Sequence, residues 1–159
     1  MKKMLIAIDG SECSLRAADY AGRQFSGISD LQITILHVLP FPPAPLWDAG
    51  HIPTKGEQVE REREIEKWLL DQRAMTESLF DKAIGVLVGS GISRTQMTIK
   101  TISDSSDVAD SILEETRDGG YQTLVVGRCG HSTMQKLLMG SVTTEILNHG
   151  AGVAVCVVE

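Results

Sequence analysis

Aromatic residues make up only 4% of this 159-residue chain, so any core it buries must be mostly aliphatic. No apolar run comes near the roughly 18 residues that a membrane-spanning helix needs. The locally basic start, Lys2-Lys3, lacks the apolar stretch and cleavage site of a signal peptide. Positive charge is scarce too: 15 Lys and Arg stand against 21 Asp and Glu, a net charge of −6. That balance argues against a nucleic-acid surface, which needs clustered cations. Cysteine is rare and odd in number: Cys13, Cys129 and Cys156 fall at unrelated spacings, with neither CxxC nor a His/Cys cluster. The expected compartment is a reducing cytoplasm, with no membrane contact.

Catalytic signatures are missing as well. There is no GxxxxGK[ST] loop, no GxGxxG after the first apolar run, and no HExxH, Ser elbow or carboxylate cluster. The SGGxDS signature of ATP pyrophosphatases is replaced by DGSECS at 9–14, and HIGH and KMSKS are absent. No catalytic residue and no metal ligand is assigned, so the expected activity is binding, with hydrolysis at most weak and incidental.

What is present is a soluble-type composition, 42% hydrophobic and 23% charged, in a length that suits one domain over 1–159. Such a domain buries about 68–70% of its unfolded surface. Met4 to Ile8 is an unbroken apolar run fit for a central parallel strand, closed by Asp9-Gly10-Ser11. Ser11 can cap the helix that follows, whose Leu15, Ala18, Ala21, Gly22 and Phe25 share a face. Leu31 to Leu39 is a second strand, and His37 inside it reads as a hydrogen-bonded core residue.

Four of the five prolines crowd into PFPPAPLW at 40–47, which excludes helix and strand and predicts a stiff loop beside the site. From Glu57 a charged run passes into a helix. Ile65, Trp68/Leu69, Gln72, Met75/Thr76, Leu79, Ala83 and Val86/Leu87 trace its apolar stripe. A straight helix over 57–89 would measure about 50 Å, against about 39 Å across for a compact domain of this length. The charged end must overhang, bend or fray, so residues 40–64 are read as a proline-rich loop and a helical extension.

Thr95 to Ile102 alternates as an edge strand would, and Asp104-Ser105-Ser106-Asp107 supplies caps for a helix to about Arg117. Leu124-Val125-Val126 is a buried strand that runs into Gly127, Gly130 and, beyond a loop, Gly140-Ser141 at the start of a helix to His149. Glycines admit close backbone approach, and a helix N-terminus adds unpaired donors and a positive dipole end. This is a candidate phosphate cradle, with Arg128, His131 and Lys136 as candidate counter-charges. Cys129 sits between the cradle glycines, either filling a tight turn or open to redox chemistry near cations and a helix N-terminus. Cys13 and Cys156 read as packing residues. Val153 to Val158 completes five strands alternating with helices, the pattern of a parallel α/β sheet covered on both faces.

The spacing Gly127-xx-Gly130-x9-Gly140-Ser141 resembles the G-2x-G-9x-G-[S/T] motif of the nucleotide-binding branch of the universal stress protein family. MKKMLIAIDGSECSLRAADYA and the ILHVL at 35–39 resemble that family's first two strands, with 40–90 the least similar stretch. The resemblance implies a Rossmann-like sheet of order 3-2-1-4-5 that places Asp9 beside Gly127 at the switch point. It implies ATP or AMP, with Mg²⁺, held by Ala7, Ile8, Asp9, Val38, Gly127, Arg128, Gly130, His131, Gly140, Ser141, Val142 and Thr143. Val38 would serve the adenine ring through its backbone. It further implies a stress-response or signalling role and a homodimer paired through strand 153–158, with a further protein partner unknown. The family's other branch, a dimeric interaction protein needing no nucleotide, is the alternative. Gly152 stands where the family often has Pro before its last strand, and the middle segment is longer and more charged than usual.

Overall fold

Stretches rich in Val, Ile and Leu form β1 (Lys2–Ala7), β2 (Leu31–Pro40), β3 (Met97–Ser105), β4 (Thr123–Gly127) and β5 (Ala154–Val158). Between them run α1 (Glu12–Phe25), α2 (Lys55–Gly89), α3 (Val108–Asp118) and α4 (Ser141–His149). The computed structural model describes residues 1–42, 50, 52–129 and 139–159. Most of the proline-rich loop, together with Gly130, His131 and Lys136, therefore lies outside the described residues. No described helix is long and apolar enough to cross a membrane.

All four strand pairs are parallel, and the order is β3-β2-β1-β4-β5. This is the α/β arrangement expected. Period-two alternation sorts the strand residues onto two faces. Met4, Ile6, Ile33, Ile35 and Val125 pack with Ala17, Ala18 and Ala21 of α1 and Leu79, Phe80, Ala83 and Leu87 of α2. Leu5, Leu36, Leu124 and Val126 pack on the other side with Ala109, Ile112 and Leu113 of α3 and Ile146 of α4. Aliphatic side chains fill both layers, as the scarcity of aromatics requires.

Three of the four helices begin at a side-chain cap. The Ser11 hydroxyl accepts from the Ser14 N–H at 3.2 Å and starts α1. Asp107 accepts from the Asp110 N–H at 2.9 Å and starts α3. β3 departs from expectation at both ends. A short 3-10 turn, Arg94–Gln96, delays its start to Met97, and it runs on to Ser105. Pairing through Pro40 with Ser105 extends the strand past Ile102, so of the four polar residues at 104–107 Asp107 alone is the N-cap. Ile99 is 46% exposed, so the alternation there does not mark a buried face.

The long helix keeps its length. α2 is unbroken over 35 residues, about 52 Å. Thr54 and Glu57 form a reciprocal capping box that satisfies its first N–H groups. Its buried residues are Thr76, Leu79, Phe80, Ala83 and Leu87. From Lys55 to Met75 none is buried, so the charged half overhangs the core. Where the sequence stripe offered pairs, the structure buries Thr76 and Leu87 and half-buries Trp68, leaving Leu69 41% and Met75 66% exposed.

The tightest contact between layers is at Gly127. A Cβ there would lie 2.7 Å from the Cys13 carbonyl carbon and 2.8 Å from the Ser14 nitrogen, because the end of β4 abuts the first turn of α1. The neighbours are backbone and cannot swing away. Gly127→Ala should accordingly cost about 1–3 kcal/mol, the usual range for overpacking. Urea denaturation followed by circular dichroism checks it, and an unchanged midpoint would mean α1 does not sit there. For α2, Leu87→Ala should cost about 2–5 kcal/mol, whereas Leu70→Ala, at a site 58% exposed, should stay within about 0.5 kcal/mol. Equal losses in the same assay would mean that the overhanging half is packed after all.

Candidate functional site

Because the sheet order reverses between β1 and β4, the segments leaving their carboxyl ends part to opposite faces and open a crevice. The two strands are in register there, Ile6 against Val125. The crevice holds a cavity of about 350 Å³, within the range of small-molecule sites. Leu36, Val38, Val108, Ile112 and Val126 line one part of it; Asp9, Ser14, Gly127 and the segment Gly140–Thr143 line the other. An apolar slot thus meets a mouth of backbone amides and hydroxyls.

Asp9 sits just beyond β1 and is exposed. Its Oδ1 accepts from the Ser11 N–H at 2.9 Å and from the Ser11 hydroxyl at 2.6 Å. The Cys129 carbonyl is 3.3 Å from the same hydroxyl. Gly10, at φ 86°, supplies the left-handed turn between them. Asp9 is therefore both the turn residue that sets up α1 and a carboxylate facing the cavity.

Next to the slot but on the other face of the sheet, His37 is held as its position in a strand predicts. Its Nδ1 lies 2.8 Å from the Ile8 carbonyl, and since a carbonyl can only accept, Nδ1 donates. The ring stands edge-on to Phe80, centroids 6.5 Å apart. This ties the end of β2 to the end of β1. One residue on, the β2–β3 register shifts between Val38 and Pro40, because proline has no N–H to continue the ladder. The irregularity falls beside the cavity, at the residue expected to use its backbone.

On the polar side, α4 opens at Gly140, which has no side chain with which to cap it. The Gly140 N–H donates to the Arg128 carbonyl at 2.8 Å, and the Thr143 hydroxyl donates to the Gly127 carbonyl at 2.8 Å. These two bonds fix the helix start against the end of β4. The first turn, Ser141 to Thr143, then presents its amide ends and the positive end of the helix dipole to the cavity. That arrangement can hold an anion.

Of the residues expected at the site, Ala7, Ile8, Asp9, Val38, Gly127, Gly140, Ser141, Val142 and Thr143 all line this one cavity. Gly130 and His131 lie outside the described residues. Arg128 does not line the cavity: its Nε is 3.0 Å from Glu159 Oε1, and its N–H donates to the Val158 carbonyl, which turns it toward the end of β5. Gly127 lines the cavity and has a packing role as well, since a Cβ there would meet the backbone of α1. Among the described residues no three His, Cys, Asp or Glu side chains group to hold a metal ion.

Five lining residues were not anticipated, Ser14, Leu36, Val108, Ile112 and Val126, while Cys129 lines the cavity as its place between the cradle glycines suggested. Val108 and Ile112, four apart on α3, read as core in the sequence; only the placement of that helix shows that they also border the crevice. Cys13, expected to be a packing residue, is instead bonded to Cys129 in a disulfide whose Cα atoms are 5.8 Å apart. The contact of Gly127 with Cys13 explains it, since two residues further along β4's exit the chain is still beside α1. Cys156 is free and half-buried.

The universal stress protein family model matches residues 1–158. A universal stress protein of Mycolicibacterium smegmatis is 26% identical over 154 residues, covering 97% of this chain but 47% of that protein. The chain thus spans about half the length of the curated relative it matches. Among solved structures, a universal stress protein in complex with cAMP has a TM-score of 0.66 at 20% identity, covering 99% of this chain and 96% of that one. The universal stress protein from Archaeoglobus fulgidus in complex with dAMP has a TM-score of 0.58 at 16% identity, covering 100% and 98%. At those identities the structures speak for the fold, while the match over nearly the whole length decides membership: the chain belongs to the universal stress protein family.

Proposed function

We propose that the crevice binds an adenine nucleotide, ATP or AMP, and that the chain acts as a nucleotide-dependent stress-response or signalling module of its family's nucleotide-binding branch. The observation that carries this reading is the pairing of an apolar slot with an uncapped helix N-terminus in one cavity of about 350 Å³. A base fits the slot between Val38 and Ile112, and phosphates fit the mouth of α4. Ligands named for two family members of the same fold, cAMP and dAMP, support an adenine nucleotide here. Asp9 can accept from a ribose hydroxyl. Mg²⁺ would arrive with the phosphates, as it commonly does.

The reading is binding rather than turnover. Asp9 is the one carboxylate lining the cavity among the described residues, and its Oδ1 is already engaged by Ser11. Ordered γ-phosphate transfer needs a base placed on the attacking water as well as a phosphate cradle. ATP hydrolysis in this crevice is therefore read as slow.

Ligand that binds only the native state stabilises it, by about 2.7 kcal/mol at one hundred times its dissociation constant. For a domain of this size that raises the melting temperature by roughly 5–11 °C. Ser141→Asp separates binding from stability. An acid in the first turn of a helix favours folding by about 0.3–1 kcal/mol, yet it faces the phosphates. The variant should melt no lower than wild type and lose most of the shift with ATP or AMP. No shift in nucleotide-free wild-type protein would favour the nucleotide-independent branch. A full shift in Ser141→Asp would put the ligand elsewhere.

The same reading includes a homodimer through β5. This strand pairs with β4 alone in the sheet, and AVCVV carries no charge to discourage a second partner. Pairing of two such edges across a two-fold axis would cover both. Light scattering at micromolar concentration should give twice the mass of the 17.3 kDa chain, and Val157→Lys should halve it. A monomeric wild type would remove the dimer from the reading.

A further inference from the structure

The disulfide joins the two segments that any ligand of the crevice must touch together. Cys13 lies in the first turn of α1, just after the Asp9–Ser11 turn, and Cys129 lines the cavity two residues past β4. Their chemical settings differ. Cys13 is 3% exposed, near the helix N-terminus, and its sulfur accepts from Arg16 Nη2 at 3.1 Å. Arg16 is itself held by the Glu159 carbonyl, which its Nε meets at 2.9 Å. A cation and a helix N-terminus both favour the thiolate form of Cys13 once the bond is open. Cys129 is only half-buried and faces the cavity, so it is the sulfur that a small thiol or disulfide can reach.

We propose that Cys13 and Cys129 form a reversible redox couple that sets the affinity of the crevice for its nucleotide, tighter when the bond is closed. This rests on the nucleotide reading above. Closure needs a small-molecule disulfide of the glutathione type. The Cys129 thiolate attacks one of its sulfurs, breaking that S–S bond and releasing one glutathione thiolate. The Cys13 thiolate then attacks the Cys129 sulfur and expels the second. Two protein thiols lose two electrons and two protons, and the glutathione disulfide gains them as two thiols. Opening is the reverse: an external thiolate attacks the accessible Cys129 sulfur, and Cys13 departs as a thiolate stabilised by Arg16, which makes it the better leaving group. Such reversible bonds are the kind found in reducing compartments.

The direction of the effect follows from position. The bond fastens the exit of β4 to the start of α1, the two walls that a bound nucleotide must hold in register. A site fixed in advance is not charged with that ordering on binding. Fixing the backbone of a single residue is worth about tenfold in affinity.

The test uses the whole chain with AMP as the probe. Wild-type protein is equilibrated with glutathione disulfide or with dithiothreitol, and its thiols are alkylated in guanidinium and counted by mass spectrometry. Of the three cysteines, one should react after oxidation and three after reduction. Calorimetry should then show AMP bound about tenfold more tightly by the oxidised form. Cys13→Ser should trap glutathione on Cys129 as a mixed disulfide, because the second attack has no sulfur to make it. When kept reduced, this variant should bind AMP like reduced wild type. Arg16→Gln should slow reopening by dithiothreitol. Three free thiols after oxidation, or glutathione persisting on wild-type Cys129, would overturn the couple. One free thiol with equal AMP affinity in both states would overturn its control of the crevice. A normal thiol count with no AMP binding in either state would instead overturn the nucleotide reading, and the control with it.

Discussion

The crevice depends on one missing atom. A Cβ on Gly127 would fall 2.7 Å from the backbone of Cys13, so only glycine lets the end of β4 close against the first turn of α1. Three features of the site follow from that contact. The Ser11 hydroxyl is brought to 3.3 Å from the Cys129 carbonyl. The Cys13 and Cys129 sulfurs are brought within bonding distance. The Gly127 carbonyl is left pointing where the Thr143 hydroxyl of α4 can reach it, at 2.8 Å. Strand end, helix α1 and helix α4 are fixed relative to one another by one close approach and two hydrogen bonds, and the cavity is the space among them.

That geometry also bears on how an acidic protein could hold the proposed anionic ligand. With a net charge of −6 the long-range field is unfavourable to phosphate, but over a few ångströms local dipoles outweigh it. The amide ends of Ser141 to Thr143 belong to a helix whose start is tied down at both Gly140 and Thr143. They need no reorganisation to receive a ligand. Arg128, one of the candidate counter-charges, is paired with Glu159 instead. Among the described residues, attraction for the proposed ligand at this mouth would come from oriented backbone, which a single carboxylate placed at Ser141 can counter.

Much of this was legible in the sequence. Strand and helix positions followed from runs of branched aliphatics and from Ser11 and Asp107 as caps, since those signals are local. Parallel order and the meeting of Asp9 with Gly127 needed the family resemblance, because pairing partners are not written in local periodicity. Three things escaped. The packing of Gly127 against α1 was hidden because a glycine looks the same whether it spares a ligand or a neighbouring helix. The Cys13–Cys129 bond spans 116 residues of sequence, a separation at which no spacing rule applies. The contribution of Val108 and Ile112 was hidden because a core stripe and a pocket wall have the same pattern when one helix face serves both. In α2, by contrast, the length argument required part of the helix to leave the core, and the helix is continuous with no buried residue from Lys55 to Met75.

The two edges of the sheet are treated differently, and the difference bears on how the chain meets others. On β3 the edge carries Lys100, whose ammonium bonds to Glu115, itself in contact with Tyr121. That bond holds the Lys100 proton more tightly than usual, as does the Coulomb attraction of Glu115, so the charge persists at any physiological pH. A lysine on an edge strand, together with the register shift after Val38, discourages addition of another strand. On β5 there is neither charge nor irregularity: Val155 to Val158 are half-buried and pair in continuous register with β4. On the homodimer reading proposed above, β5 is the edge that would take the partner. Because β5 is also where Arg128 anchors, through the Val158 carbonyl and Glu159, a partner paired there, as proposed, would sit next to the residues leading into the crevice.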